Sequence, residues 1–390
     1  MKIALLSCFY PYRGGISQFN SFLYEEFAKN HEVRAFNFKR QYPQFLFPGK
    51  TQYVEDFDKA VSDWNTPILD TANPFSYIST AKKIAKFNPD LLITRYWMSY
   101  FAPSLGTVNN QVERILRKRA KKNSTASPFK TLSITDNAIA HEPHFFDKPF
   151  SKYYFNSLSG AVAMSNVVKD DINLLNPNLK VRIIKHPIYS NYGERVDRLE
   201  ARKELLNSTL EDKKVLLFFG LIRDYKGLDL LLEAMAHLGQ EYHLIVAGEP
   251  YGSFSKYEKI IGSIENEKVR KNIHLFTHFI PDEKVKLLFS ASDLCILPYR
   301  SATQSGISSV AWNFETPLVA TPVGGLVEDI TETKTGLLTQ DVSSEGIALA
   351  IKKYFDNKLE TQLKANIRKL KSELNWANFC SKLINFVEEL

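Results

Sequence analysis

The chain has 390 residues, 44% of them hydrophobic and 24% charged, with a formal net charge of +7. This length predicts two or three globular domains, and the composition excludes a disordered chain. No apolar run reaches the roughly 18–20 residues of a membrane-spanning helix. Cys8, Cys295 and Cys380 have neither disulfide nor zinc-ligand spacing, which predicts buried thiols in a reducing, cytoplasmic compartment.

KIALLS, at residues 2–7, reads as a buried strand. The run is too short for a signal peptide and stops at FYPYRGG without a small-residue cleavage site. An amphipathic helix follows over Gly15 to Asn30, then a strand, EVRAFNF. Residues 76–87 read as a helix and DLLITRYW as a third strand. RILRKRAKK, from Arg114 to Lys122, is a basic helix face suited to anionic lipid headgroups. The run also reads as a plain solvated helix face; no nucleic-acid motif accompanies it, so among partners a membrane surface ranks above nucleic acid, and no nucleic acid is expected. KTLSIT, GAVAMS and VRIIKHP are further strands. A polar stretch with a charged helix, between about Tyr189 and Lys214, reads as a domain boundary.

The alternation then restarts, with strands KVLLFFG, YHLIVAGE, NIHLFTHF, DLCILPY and PLVATP separated by helices. Alternation in both halves predicts an α/β protein of two doubly wound, Rossmann-like domains, residues 1–188 and 189–372. Ligands in such sheets bind beyond the strands' carboxyl ends, so the expected site faces a cleft between the domains. Residues 373–390 contain an amphipathic helix expected to cross back to the first domain.

Five strand-end segments hold the candidate chemistry. VLLFFGLIRDYKG places a glycine turn, Gly220, and two cations, Arg223 and Lys226, just before a helix. Backbone amides and the dipole at a helix N-terminus favour phosphate, and the cations supply matching charge. After the first strand, Gly14 and Gly15 lead straight into a helix and offer amides to an anion. The dinucleotide fingerprint Gly-x-Gly-x-x-Gly is absent. Asp136, Asn137, His141, Glu142 and His144 crowd one loop, where histidine is the usual proton handler. Their spacing matches no common metal-ligand motif, so no metal is expected. Gly248 and Glu249 follow another apolar strand, and Gln304, Ser305 and Gly306 precede a helix as a second anion position. Tyr96, Trp97 and Phe101 are aromatics suited either to sugar stacking or to the core.

Taken together, these segments resemble the glycosyltransferases of the GT-B fold, most closely the retaining family 4. PYRGGISQF is similar to that family's donor-phosphate loop, and GLIRDYKGLDLLLEA to its Gly-Arg…Lys-Gly signature. HFIPDEKVKLLFSASDLCILPY resembles its base-binding segment, and PLVATPVGGLVEDI its closing motif. The resemblance implies an enzyme that moves a sugar from a nucleotide-diphosphate sugar to a hydroxyl acceptor, without a cofactor or metal. The second domain would bind the donor and the first the acceptor, in cell-surface glycan assembly. Lys226 and Arg223 would hold the diphosphate, with Gly14, Gly15, Gly220 and Gly248 nearby. Phe279 and Ile280 would meet the base, and His141 would sit near the reacting sugar. Asp136, Asn137, Tyr96 and Trp97 are acceptor-side candidates. The acceptor class implied is a saccharide or polyprenyl-linked saccharide at the inner membrane face.

One departure is marked. The family carries two glutamates around the Ser305–Gly306 turn, at positions that fall near Ala302 or Thr303 and near Val310 or Ala311. Thr303, Gln304 and the Ser305 backbone are the substitutes available for sugar contacts. The same architecture also serves sugar-nucleotide epimerases, and the missing carboxylates suit a non-catalytic nucleotide-sugar-binding protein as well.

Overall fold

A computed structural model describes residues 1–12, 14–42, 52–53, 65–124, 129–139, 145–189, 192–303 and 305–390. The chain divides into two compact units, Met1–Lys185 with Trp376–Leu390, and His186–Asn375.

The first unit contains β1 (Lys2–Ser7), α1 (Gly15–Ala28), β2 (Glu32–Arg40), β3 (Asn65–Asp70), α2 (Pro74–Phe87) and β4 (Leu91–Tyr96). These are followed by α3 (Ala102–Lys122), β5 (Lys130–Thr135), α4 (Asp147–Phe155), β6 (Gly160–Ala163), α5 (Asn166–Leu175) and β7 (Lys180–Ile183). Its seven parallel strands are ordered β3-β2-β1-β4-β5-β6-β7. β1, β4 and β5 are almost wholly buried, as parallel strands covered on both faces are, and the polar Thr94, Arg95 and Ser133 within them are hydrogen-bonded inside.

The second unit runs α6 (Arg198–Leu206), β8 (Lys214–Phe219), α7 (Leu228–Ala236), β9 (Tyr242–Ala247), α8 (Ser255–Ser263), α9 (Glu267–Lys271), β10 (Ile273–Phe276), α10 (Asp282–Ala291) and β11 (Leu294–Leu297). It continues with α11 (Gly306–Asn313), β12 (Leu318–Ala320), α12 (Gly325–Thr333), β13 (Gly336–Leu338), α13 (Ser344–Asp356) and α14 (Glu360–Glu373). The six parallel strands are ordered β10-β9-β8-β11-β12-β13. α15 (Trp376–Glu388) belongs to the first unit, where Trp376 and Phe379 pack edge-on against Phe19 of α1 at 4.8 and 5.6 Å.

Two strands escaped the sequence pattern. β3, NTPILD, holds a proline and lies half-exposed at a sheet edge, and β13 is only three residues long. Short edge strands need no long apolar run, so periodicity does not reveal them. At the opposite end of the second sheet from its strand C-termini, buried Asp293 accepts from Arg202 at 2.7 Å, Arg198 at 2.7 Å and the Val215 amide at 2.7 Å. This satisfied network anchors α6 to the starts of β8 and β11.

Candidate functional site

In each sheet the strand order reverses at one place. The first lies between β1 and β4, the second between β8 and β11. The loops beyond the strand C-termini there form the natural ligand crevice of an open parallel sheet.

In the second unit, the crevice is built by two turns. After β8 the chain bends at Gly220, and the Ile222 amide donates to Glu249 O at 2.9 Å, tying this turn to the one after β9. A 3-10 turn, Asp224–Lys226, then leads to Gly227, which has φ 65°. A Cβ on Gly227 would sit 1.9 Å from Pro298 O, so only glycine fits. Arg300 pins the turn from the β11 side. Its guanidinium grips both oxygens of Asp229 at 2.8 Å and donates to Asp224 O at 3.1 Å. Its own amide donates to Tyr225 O at 2.7 Å. Lys256 pairs with Asp224 beside it.

This bracing holds Lys226 in place. Its side chain turns inward, leaving the residue only 8% exposed. A Cβ built on Gly220 would lie 3.0 Å from Lys226 Nζ and 3.3 Å from Ile307 Cδ1, so both turns converge at this point. Among the described residues, no carboxylate pairs with Lys226 or Arg223; the aromatic contacts are Tyr299, 5.7 Å from Lys226 Nζ, and Tyr251, 4.5 Å from the Arg223 guanidinium. The Arg223 Nε is buried without a hydrogen-bond partner. Burial, and then the neighbouring Arg223 charge, pull the Lys226 ammonium down to about 8. Two cations held close together with no carboxylate partner among the described residues are an arrangement suited to an anion.

The second turn supplies amides. α11 starts at Gly306, and Ser305 at its N-cap makes no side-chain cap, which leaves the first-turn N–H groups uncapped by that side chain. Ser309 accepts from the Tyr189 amide at 3.0 Å and donates to Pro187 O at 2.8 Å, fixing α11 against residues 187–189. Tyr299 Oη lies 3.4 Å from Ser305 Oγ, linking this turn to the ring beside Lys226. Ala302, Thr303, Val310 and Ala311 are all buried, so no carboxylate replaces the absent glutamates at those positions. Phe279, half exposed, and Ile280 follow β10, two strands from β8 at the same sheet end. Gly248 closes the turn after β9, where a Cβ would lie 2.1 Å from Gly220 O. Gln304 lies outside the described residues.

In the first unit, Gly14 has φ 111° and Gly15 opens α1, whose first-turn N–H groups have no side-chain cap from Gly14. Beneath them sits a buried cation of another kind. Arg95, 4% exposed, meets Asp136 through two 2.6 Å hydrogen bonds and lies 3.7 Å from the centre of the Phe19 ring. Asp136 is therefore committed to Arg95, and Asn137 beside it is half-buried. Tyr96 corrects the sequence expectation: it is fully buried, bonds Ser151 Oγ at 2.7 Å and stacks on Tyr154, so it offers no surface to an acceptor. An inward-facing strand position decides this, whatever the aromatic character suggests. Trp97 is half-buried and donates to Tyr42 Oη at 3.2 Å. His141 lies outside the described residues. Arg300, Tyr251 and Arg95 were not singled out from sequence. Tyr251 had a local signal, as an aromatic just past the Gly248 turn; the other two are recognisable only from partners far away in the chain.

Residues 198–370 match the family model for glycosyl transferases group 1. An uncharacterized glycosyltransferase of Methanocaldococcus jannaschii is 25% identical over 394 aligned positions, covering 100% of this chain and 99% of that protein. A D-inositol 3-phosphate glycosyltransferase of Segniliparus rotundus is 32% identical over 152 residues, 38% of this chain and 33% of that one. Among solved structures, HepE of Anabaena in complex with UDP superposes with a TM-score of 0.73 at 14% identity, covering 100% of both chains. Sucrose-phosphate synthase of Thermosynechococcus elongatus gives 0.72 at 18% identity, covering 100% of this chain and 98% of that one. The chain thus has the fold of GT-B glycosyltransferase structures, and its residues 198–370 match the glycosyl transferases group 1 model.

Proposed function

We propose that this protein transfers a sugar from a nucleotide-diphosphate sugar to a hydroxyl of a saccharide or polyprenyl-linked saccharide, with retention at the anomeric carbon and no metal. The His186–Asn375 unit holds the donor and the Met1–Lys185 unit the acceptor. One observation carries the reading: Lys226 is buried beside Arg223 without a carboxylate partner among the described residues. In the reaction the bond from the anomeric carbon to the diphosphate oxygen breaks. The acceptor oxygen forms the new bond and passes its proton to the departing diphosphate. Negative charge grows on the departing diphosphate, where fixed cations and helix-terminal amides act most strongly. Lys226, Arg223 and the Gly306 end of α11 fill those roles, while Phe279 and Ile280 face the base. HepE has been solved with UDP-glucose, which makes that donor the first to try.

The test is a thermal-shift titration with UDP and UDP-glucose on the native chain and on Lys226→Ala. The native protein gains stability by mass action, and the variant loses most of that gain. An equal response from both would overturn the assignment. Incubation with UDP-glucose then separates the neighbouring readings. UDP release that depends on an added acceptor marks a transferase, a changed sugar without acceptor marks an epimerase, and binding without turnover marks a sensor. The last draws its support from the buried, carboxylate-free positions 302, 303, 310 and 311.

A further inference from the structure

The basic run at 114–122 is used by none of the chemistry above. The structure shows that it is one part of a larger surface. α2, α3 and α4 each connect parallel strands on the same side of the first sheet, and α3 packs between the other two. As successive crossovers of one hand, they run in the same direction.

The outer stripe of α3 is Asn110, Arg114, Arg117, Lys118 and Lys121, opposite buried Leu105, Val108, Val112 and Leu116. The outer stripe of α2 starts with Phe75 and Ile78 and continues as Lys82, Lys83 and Lys86. Arg119 of α3 donates to Ala85 O of α2, which brings the two cationic ends together. α4 contributes Lys148, Phe150 and Lys152, all exposed. Over these three helices, eleven Lys and Arg face two acids, Glu113 and Asp147, and Asp147 is buried against Ser99. The net +9 of this layer exceeds the +7 of the whole chain, so the remainder is slightly acidic. The excess charge is therefore confined to one side of one unit. Phe75 is 86% exposed and lies on the same stripe as the lysines.

We propose that the α2–α3–α4 layer docks on an anionic lipid bilayer, with its cations on the headgroups and Phe75 and Ile78 entering the acyl boundary. A surface field of this kind attracts basic clusters within about a Debye length, and apolar side chains on the same stripe then add insertion. A nucleic acid would use the cations and gain nothing from Phe75 and Ile78, and so it is the less favoured partner. An enzyme held this way keeps its acceptor-binding unit beside lipid-linked acceptors.

The experiment is co-sedimentation of the full chain with phosphatidylcholine vesicles, with and without phosphatidylglycerol. Phosphatidylglycerol is expected to tighten binding at least about tenfold, and added salt to reverse the gain. The triple variant Arg117→Gln, Lys118→Gln, Lys121→Gln should bind about a hundredfold more weakly, since each cation near such a surface is worth roughly fivefold. Phe75→Ser should lose several-fold and should remove the part of binding that resists salt. Both variants alter exposed side chains, so an unchanged melting curve confirms that they fold. Equal binding to neutral and anionic vesicles would overturn the proposal, as would a triple variant that binds like the native chain. Duplex RNA that binds more tightly than anionic vesicles would also overturn it and identify nucleic acid as the occupant.

Discussion

Each unit keeps a buried cation near the reversal point of its sheet, and the two are held differently. Arg95 has a two-pronged carboxylate partner in Asp136 and an aromatic face in Phe19, and only its Nη1 is left without a hydrogen bond. Lys226 has neither carboxylate nor hydrogen-bond partner among the described residues, and it has another cation beside it. A paired buried charge belongs to the architecture, because removing either member strands the other in a low dielectric. An unpaired one costs stability that a ligand's charge must offset. Counter-charge, more than burial, therefore separates the strut from the candidate binding group here.

The largest effect that could break this comparison lies in the first unit. Asp136→Ala leaves Arg95 without its partner and should lower unfolding stability by about 3–5 kcal/mol in urea denaturation. A loss under about 1 kcal/mol would mean the pair is not structural. The converse holds for Lys226. Lys226→Met should stabilise the ligand-free protein, by on the order of 1–3 kcal/mol near neutral pH, while abolishing the gain from UDP. The sign follows from linkage. The folded ammonium titrates near 8, below its ordinary 10.5, so between those values the unfolded chain binds the extra proton and native stability rises with pH. Lys226→Met should erase that rise. In the same window donor affinity should fall, because the diphosphate needs the protonated amine; a donor Kd unchanged from pH 7 to 9.5 would contradict the role.

The smallest effect sharpens the picture. Arg300 touches no expected ligand atom, yet it braces the turn that presents Lys226. As a part-exposed pair with Asp229, it is worth about 1 kcal/mol or less in stability. Arg300→Gln should therefore leave the melting curve nearly unchanged and raise the donor KM roughly two- to tenfold. A changed kcat with constant KM would assign it elsewhere.

The helix–strand alternation was legible because buried parallel strands are written as unbroken apolar runs such as KVLLFF and YHLIVA. The helices between them show the complementary amphipathic spacing. The strands that escaped, β3 and β13, lie at sheet edges, where burial asks little of the sequence. For the candidate site, glycines at 220, 227 and 248 and cations at 223 and 226 stood out locally, because tight turns leave their mark on neighbouring residues. Arg300 did not, being joined to Asp229 across 71 positions. Tyr96 looked available for sugar stacking until its strand register turned it inward.

The sequence by itself determined the architecture and the local chemistry of each turn, since both depend on periodicity and on residues within a few positions of one another. Only the tertiary structure decided which cations are neutralised, which aromatics are buried, and that the lysines of α2 join the basic end of α3 on one surface. Those outcomes depend on which distant side chains folding brings within a few ångströms, where desolvation and Coulomb energy are settled.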